Sequence, residues 1–144
     1  MNDAIALLAA RAAAPRFVAD AALDRALDRL NRALDTLSAE LAVVHVGPEV
    51  GVERRDVHRL VIAAHAWRPG AAAWGLRVCS AAAGGGWRAE WPLAGAGRLR
   101  KALIAAAVPA LLAGYGEAVT AAGRHETPAG RRLLELGRAA AAAR

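Results

Sequence analysis

Six leucines set the frame for this chain. Leu23, Leu27, Leu30, Leu34, Leu37 and Leu41 follow one another at spacings of 4, 3, 4, 3 and 4. Residues three and four apart share one face of a helix, so the spacing predicts an amphipathic helix over residues 20–41. Asp20 stands where an N-cap belongs, with a side-chain oxygen for the unsatisfied N–H groups of the first turn. Asp28 and Arg32 form an i,i+4 pair in the favourable order on the polar side. The stripe covers under three heptads, which is short for a coiled coil. The six leucines are therefore a candidate helix-packing or dimer seam, with packing on the chain's own sheet preferred.

After Leu41 the period changes. Residues 42–46 form a β-branched run that Gly47-Pro48 should close. A second run covers residues 57–67, and Arg68-Pro69-Gly70 supplies turn chemistry. From Ala73 to Ser80 the pattern alternates, with Trp74, Leu76 and Val78 on one face and Gly75, Arg77 and Cys79 on the other. Gly84–Gly86 make the next turn, and residues 87–91 read as a last strand ended by Pro92. Short turns between successive strands predict a three- or four-stranded antiparallel meander.

Helical spacing returns after Gly97 through Leu99, Leu103, Ile104, Val108, Leu111, Leu112 and Tyr115. Pro109 is expected to kink this segment or to start a second helix. Thr127-Pro128 gives an N-cap followed by proline at the first helical position, ahead of Leu133, Leu134 and Leu136. Residues 1–14 suit either a short helix ending before Pro15 or a loose terminus. The expected fold class is α+β. A long amphipathic helix comes first, then the meander, then two or three C-terminal helices on one face of the sheet, in two layers. The 144 residues make one domain, with residues 1–19 and 139–144 as fraying ends.

Composition narrows the class of protein. Alanine occurs 41 times, about half of the 56% of residues that are hydrophobic. Larger apolar side chains are thus limited to one modest core. Cys79 is the only cysteine, which excludes a disulfide framework and a cysteine-rich zinc site. Eighteen of the nineteen cations are arginine, the pattern of GC-rich codon usage. The net charge of +6 is uneven: residues 1–66 sum to −1 and residues 67–144 to +7. Asp3 and Arg11 do not suit a secretory signal, and the uncharged run 102–113 is short for a bilayer span of about 20 residues. The expectation is a cytoplasmic protein with no membrane role.

Residues that could carry chemistry form no recognisable set. His58 and His65, seven apart, fall on opposite faces of one strand, and neither His45 nor His125 adds a metal-ligand spacing. Cys79 shares a face with Arg77, which could lower a thiol pKa, but no base is placed beside it. Ser38 and Ser80 lack a nucleophile-elbow context. Glu90 lies between Trp87 and Trp91, and alternation puts it opposite both, in solvent. No catalytic, metal or cofactor residue is expected.

Two features suggest binding. All four tryptophans fall between residues 67 and 91, beside a single Phe and a single Tyr. If Pro69-Gly70 centres a hairpin, Trp67 and Trp74 lie close across it, while Trp87 and Trp91 share a strand face. The rings form either the sheet's core or an aromatic interface with Arg68, Arg77 and Arg88 interleaved. Gly95-x-Gly97 precedes Arg98, Arg100 and Lys101 at a helix start, where cations oppose the helix dipole and would suit an anion. Candidate partner- or anion-binding residues are therefore Arg68, Trp74, Arg77, Trp87, Arg88, Trp91, Arg98, Arg100 and Lys101. The favoured function is a non-enzymatic binding or adaptor module with a protein partner, itself or an acidic protein. A nucleic-acid binder using the basic C-terminal half is the alternative. A small enzyme with a pocket between sheet and helices, using Cys79 or a histidine, is the second.

Overall fold

The computed structural model describes residues 1–13, 21–53, 55–82 and 84–143. The expected N-cap Asp20 and helix stop Pro15 lie outside these residues. Nine elements follow in order: α1 (Asn2–Ala13), α2 (Ala21–Leu41), β1 (His45–Glu53), β2 (Asp56–Arg68), β3 (Ala71–Ala81), β4 (Trp87–Trp91), a 3-10 turn (Leu93–Gly95), α3 (Arg98–Ala121) and α4 (Pro128–Ala142). The strands form one antiparallel sheet in the order β1-β2-β3-β4. This is the expected α+β meander.

One apolar core lies on one side of the sheet. The six stripe leucines of α2 are all 5% exposed or less and pack with Leu60, Ile62, Leu76 and Val78. Those four alternate along β2 and β3 and are paired across the strands, so they share a face. Ile5 and Leu8 from α1, Leu111 and Tyr115 from α3, and Leu133 from α4 complete the same cluster. The helices thus all stand on one side, with α2 lying along β3, α3 along β1, and α1 and α4 packed on those two helices. The leucine stripe is spent on this internal packing.

Four expectations are corrected. β1 does not stop at Gly47-Pro48 but runs to Glu53, with a register shift between Val46 and Glu49. An edge strand tolerates proline at such a bulge, and a Cβ on Gly47 would come 2.8 Å from Leu111 Cδ1 and from the carbonyl oxygen of Leu60. Pro109 does not start a new helix: α3 is continuous through it. The lost hydrogen bond and ring clash cost roughly 3 kcal/mol. Burial of Ile104, Val108, Leu111 and Leu112 around the proline outweighs that. The tryptophans with described side chains are not the core. Trp74, Trp87 and Trp91 are half-buried, Trp91 packs against the core from its margin, and the largest fully buried side chain is Tyr115. Trp67 and Trp74 are not cross-strand partners either. Trp74 is opposite Ala64, while Trp67 falls in the register shift between Ala66 and Arg68.

Two other local readings hold, the Pro69-Gly70 turn and the Thr127 cap. Pro69 and Gly70 alone separate the paired Arg68 and Ala71, and Gly70 has φ +76°, the left-handed value such a tight turn needs. Thr127 caps α4, its Oγ1 accepting from the N–H of Gly130 at 3.1 Å. The C-terminal alanines continue α4 to Ala142, and Ala140 is buried. Among the described residues, α3 is the one helix long and apolar enough to cross a membrane. In this structure 56% of its most apolar window is buried in the protein.

Candidate functional site

The face of the sheet turned away from the helices is the feature that the core leaves unexplained. Register places Val46, Glu49 and Val52 of β1 on that face, opposite Val61, Arg59 and Val57 of β2. Arg77, Cys79 and Ala81 of β3 continue it, and Trp87 and Ala89 of β4 complete it. Among the described residues no helix or loop forms a layer over this face. An antiparallel sheet with one wet side normally carries polar side chains there. Here valine and alanine predominate, and Val44, Val46 and Val52 are 59%, 44% and 61% exposed.

The face is coiled rather than flat. The Nε2 atom of His65 lies 3.1 Å from the carbonyl oxygen of Val61, four residues back on the same strand. Four extended residues span about 13 Å, further than an imidazole reaches back, so β2 bends here. A carbonyl only accepts, so Nε2 carries the proton in the neutral ring. The bend makes a groove of about 480 Å³ lined by Val44, Val61, Ala63, His65, Trp87 and Arg88. Val61 lines it and Cys79 lies on the same face of the sheet, both essentially inaccessible.

The β1 edge and the stretch of β3 that β4 leaves unpaired, by contrast, are closed. β4 pairs only with the Val78–Ala81 end of β3, which leaves the Leu76 backbone pointing outward. Two side chains of α2 take the place of the missing strand. Asp35 Oδ1 accepts from the N–H of Leu76 at 2.9 Å, and Asn31 Nδ2 donates to the Leu76 carbonyl at 3.0 Å. Asn31 Oδ1 also accepts from the N–H of Leu93 at 2.8 Å. A Cβ at Gly75 would clash with the Asp35 carboxylate. At the opposite edge, Arg100 Nε donates to the Val50 carbonyl at 3.2 Å, and Tyr115 Oη donates to the carbonyl of Val43 at 3.1 Å. Bulges and Pro48 interrupt the rest of β1. Such devices block pairing with an added strand.

A bulge in β4 corrects the reading of its tryptophans. Val78 is opposite Trp91 but Cys79 is opposite Ala89, so Glu90 is an extra residue. Trp87 therefore faces the groove side, opposite Ala81, while Trp91 faces the helix side. Glu90 is not in free solvent: its side chain is 23% exposed. Its Oε1 accepts from Ser80 Oγ at 2.6 Å and from Arg88 Nε at 3.0 Å. The Ser80 hydroxyl, then Arg88, hold this carboxyl below the usual range. On the helix side, Trp91 stacks on His58 at 5.4 Å, and the Arg100 guanidinium lies 5.2 Å from the indole ring. His58 is buried, and its Nδ1 has no hydrogen-bond partner.

The candidate binding residues thus do not form one surface. Trp87 and Arg88 line the groove; Trp74, Trp91 and Arg100 lie on the helix side; Arg98 is exposed at the start of α3. The Arg68 side chain lies outside the described set. Most of the cations are engaged within the chain. Arg77 pairs with Asp35 at 3.0 Å, Arg88 with Glu90 at 2.9 Å and Lys101 with Asp24 at 2.7 Å. The valines of β1, which matter most on the open face, were not singled out by the sequence. Their alternation was hidden by the glycine, the proline and two register shifts.

The remaining chemistry is quiet. Burial pushes the Cys79 thiol up to about 12 despite Arg77, whose charge is shared with Asp35. Burial likewise pushes Tyr115 up to about 12. His45 stacks on Tyr115 at 5.9 Å, and burial lowers its pKa against the opposing pull of Glu117. Among the described residues no three His, Cys, Asp or Glu side chains could hold a metal together. Comparison with protein-family models, with curated proteins and with solved structures finds no match to this chain.

Proposed function

We propose that the protein is a non-enzymatic binding module that engages a protein partner on the helix-free face of its sheet. One observation carries this: an apolar sheet face with exposed Val44, Val46 and Val52 and no covering layer among the described residues. Water against such a face is costly at roughly 25 cal/mol per Å² of apolar surface, and a partner removes that cost. The interrupted β1 edge and the five-residue length of β4 direct the partner to the face itself. The neutral Cys79 thiol supports a binding role over nucleophilic catalysis. Asp35 and Asp24 of the N-terminal half pair with Arg77 and Lys101, which partly offsets the +7 of residues 67–144 that a polyanion would use.

A photo-reactive amino acid placed at Val46 tests this in cells, with the same group at exposed Ala106 of α3 as control. The expected result is a covalent polypeptide adduct from Val46 and none from Ala106. No adduct at Val46, or equal adducts at both, overturns the proposal. Salt-sensitive binding of a DNA or RNA duplex unaffected by Val46→Asp would favour the nucleic-acid alternative instead.

A further inference from the structure

We infer that the partner on the helix-free face is a second copy of this chain, packed sheet against sheet. The inference rests on the binding proposal above and names its occupant. Three observations favour a copy.

The first is shape. A twisted sheet is saddle-shaped. A two-fold axis lying along a strand maps a saddle onto its own surface. The same face on a second copy therefore follows the same twist, as an isologous contact requires. A continuous sheet across two copies would instead need a free outer edge, and β1 is interrupted by register shifts and Pro48 while β4 offers only five residues.

The second is charge. An isologous interface sets a surface against itself, so a face of one sign would repel its copy. This face is internally neutral among the described residues: Arg59 pairs with Glu49 at 3.1 Å and Arg77 with Asp35 at 3.0 Å. An acidic or basic partner finds no matching field there, whereas a copy meets no repulsion.

The third is area. Strands of 9, 13, 11 and 5 residues, at about 3.3 Å per residue and about 4.8 Å apart, make a face of roughly 600 Å². Two copies together cover about 1,200 Å², the lower end of specific, stable interfaces. The dimer should therefore be real but weak, with a dissociation constant in the micromolar range.

Sedimentation velocity on the full chain, from about 1 to 500 µM, tests this. The expected result is a monomer–dimer equilibrium that Val44→Asp/Val46→Asp shifts to monomer, raising the dissociation constant about a hundredfold or more. Circular dichroism of that variant should match the parent, because both positions are exposed. Ala106→Asp should leave the equilibrium unchanged. A monomer throughout the range overturns the inference. So does a dimer that survives the double substitution, which would move the contact to another surface, such as the apolar groove of about 570 Å³ between α3 and α4. The photo-crosslink at Val46 separates the two levels. A self-adduct supports both. An adduct to another polypeptide from a monomeric protein keeps the binding proposal and ends this one. No adduct ends both.

Discussion

Asn31 shows how one polar side chain can decide where a sheet stops. It sits among the stripe leucines, 4% exposed, and its amide meets the Leu76 carbonyl, the Asp35 carboxylate and the Leu93 N–H. Replacing it by leucine keeps the volume but strands a buried carbonyl and a buried N–H. Asn31→Leu should cost about 1–3 kcal/mol, read as a lower urea midpoint with an unchanged slope. Cys79 makes the opposite case, a chemically reactive residue silenced by position. With its thiol pushed up to about 12 and its surface inaccessible, it should resist iodoacetamide at neutral pH in the folded protein and react readily in urea. Rapid modification of native protein would contradict this placement. A mid-strand position already suits a buried, inert thiol, whereas the role of Asn31 was not legible in the sequence. Asn31 is visible there as a polar break in an apolar face, but its partners lie 45 and 62 residues away.

Elements were more legible than residues. The leucine spacing predicted residues 20–41, and α2 spans Ala21–Leu41. The strand over Trp87–Trp91 and the N-cap of α4 fell where local chemistry placed them. These succeed because a period of 3.6 or 2 is imposed by one buried face. The misses share a cause as well. Gly47-Pro48, Glu90, Trp67 and Pro109 are all places where a regular period is interrupted and tertiary contacts carry the element through. The stripe itself gives a direct test. Leu30 is fully buried between helix and sheet, so Leu30→Ala should lower stability by about 2–5 kcal/mol in equilibrium denaturation. A loss under about 1 kcal/mol would mean that the stripe is not the packing seam.

At the scale of the whole molecule, buried titratable groups set a window of stability. Cys79 and Tyr115 have raised pKa values, so folding favours their neutral forms. Their contribution is complete below the unfolded values of 9.0 and 10.0 and is lost as pH rises towards about 12. His45 and Glu90 are lowered. Folding disfavours protonation of both, so their contribution is present above 6.5 and 4.5 respectively and fades as pH falls below those values. Thermal melting across the pH scale should therefore show a plateau between about 6.5 and 9, with losses on both sides. Tyr115→Phe should flatten the alkaline limb. A melting temperature that keeps rising above pH 10 would contradict the burial of both groups.

The sequence by itself determined the fold class and the order of the elements. Hydrophobic period, turn residues and caps specify helix, meander and helices, because each reports which way a nearby backbone must face. It also determined that larger apolar side chains suffice for one core only, since alanine makes up about half of the hydrophobic class. Tertiary structure alone decided which surface remains available. Whether the leucine stripe is internal, whether tryptophans are core, and whether arginines are spent on carboxylates all depend on residues distant in sequence meeting across the sheet. The open valine face follows from the same cause. It is defined by what the helices do not cover, and local periodicity carries no record of that.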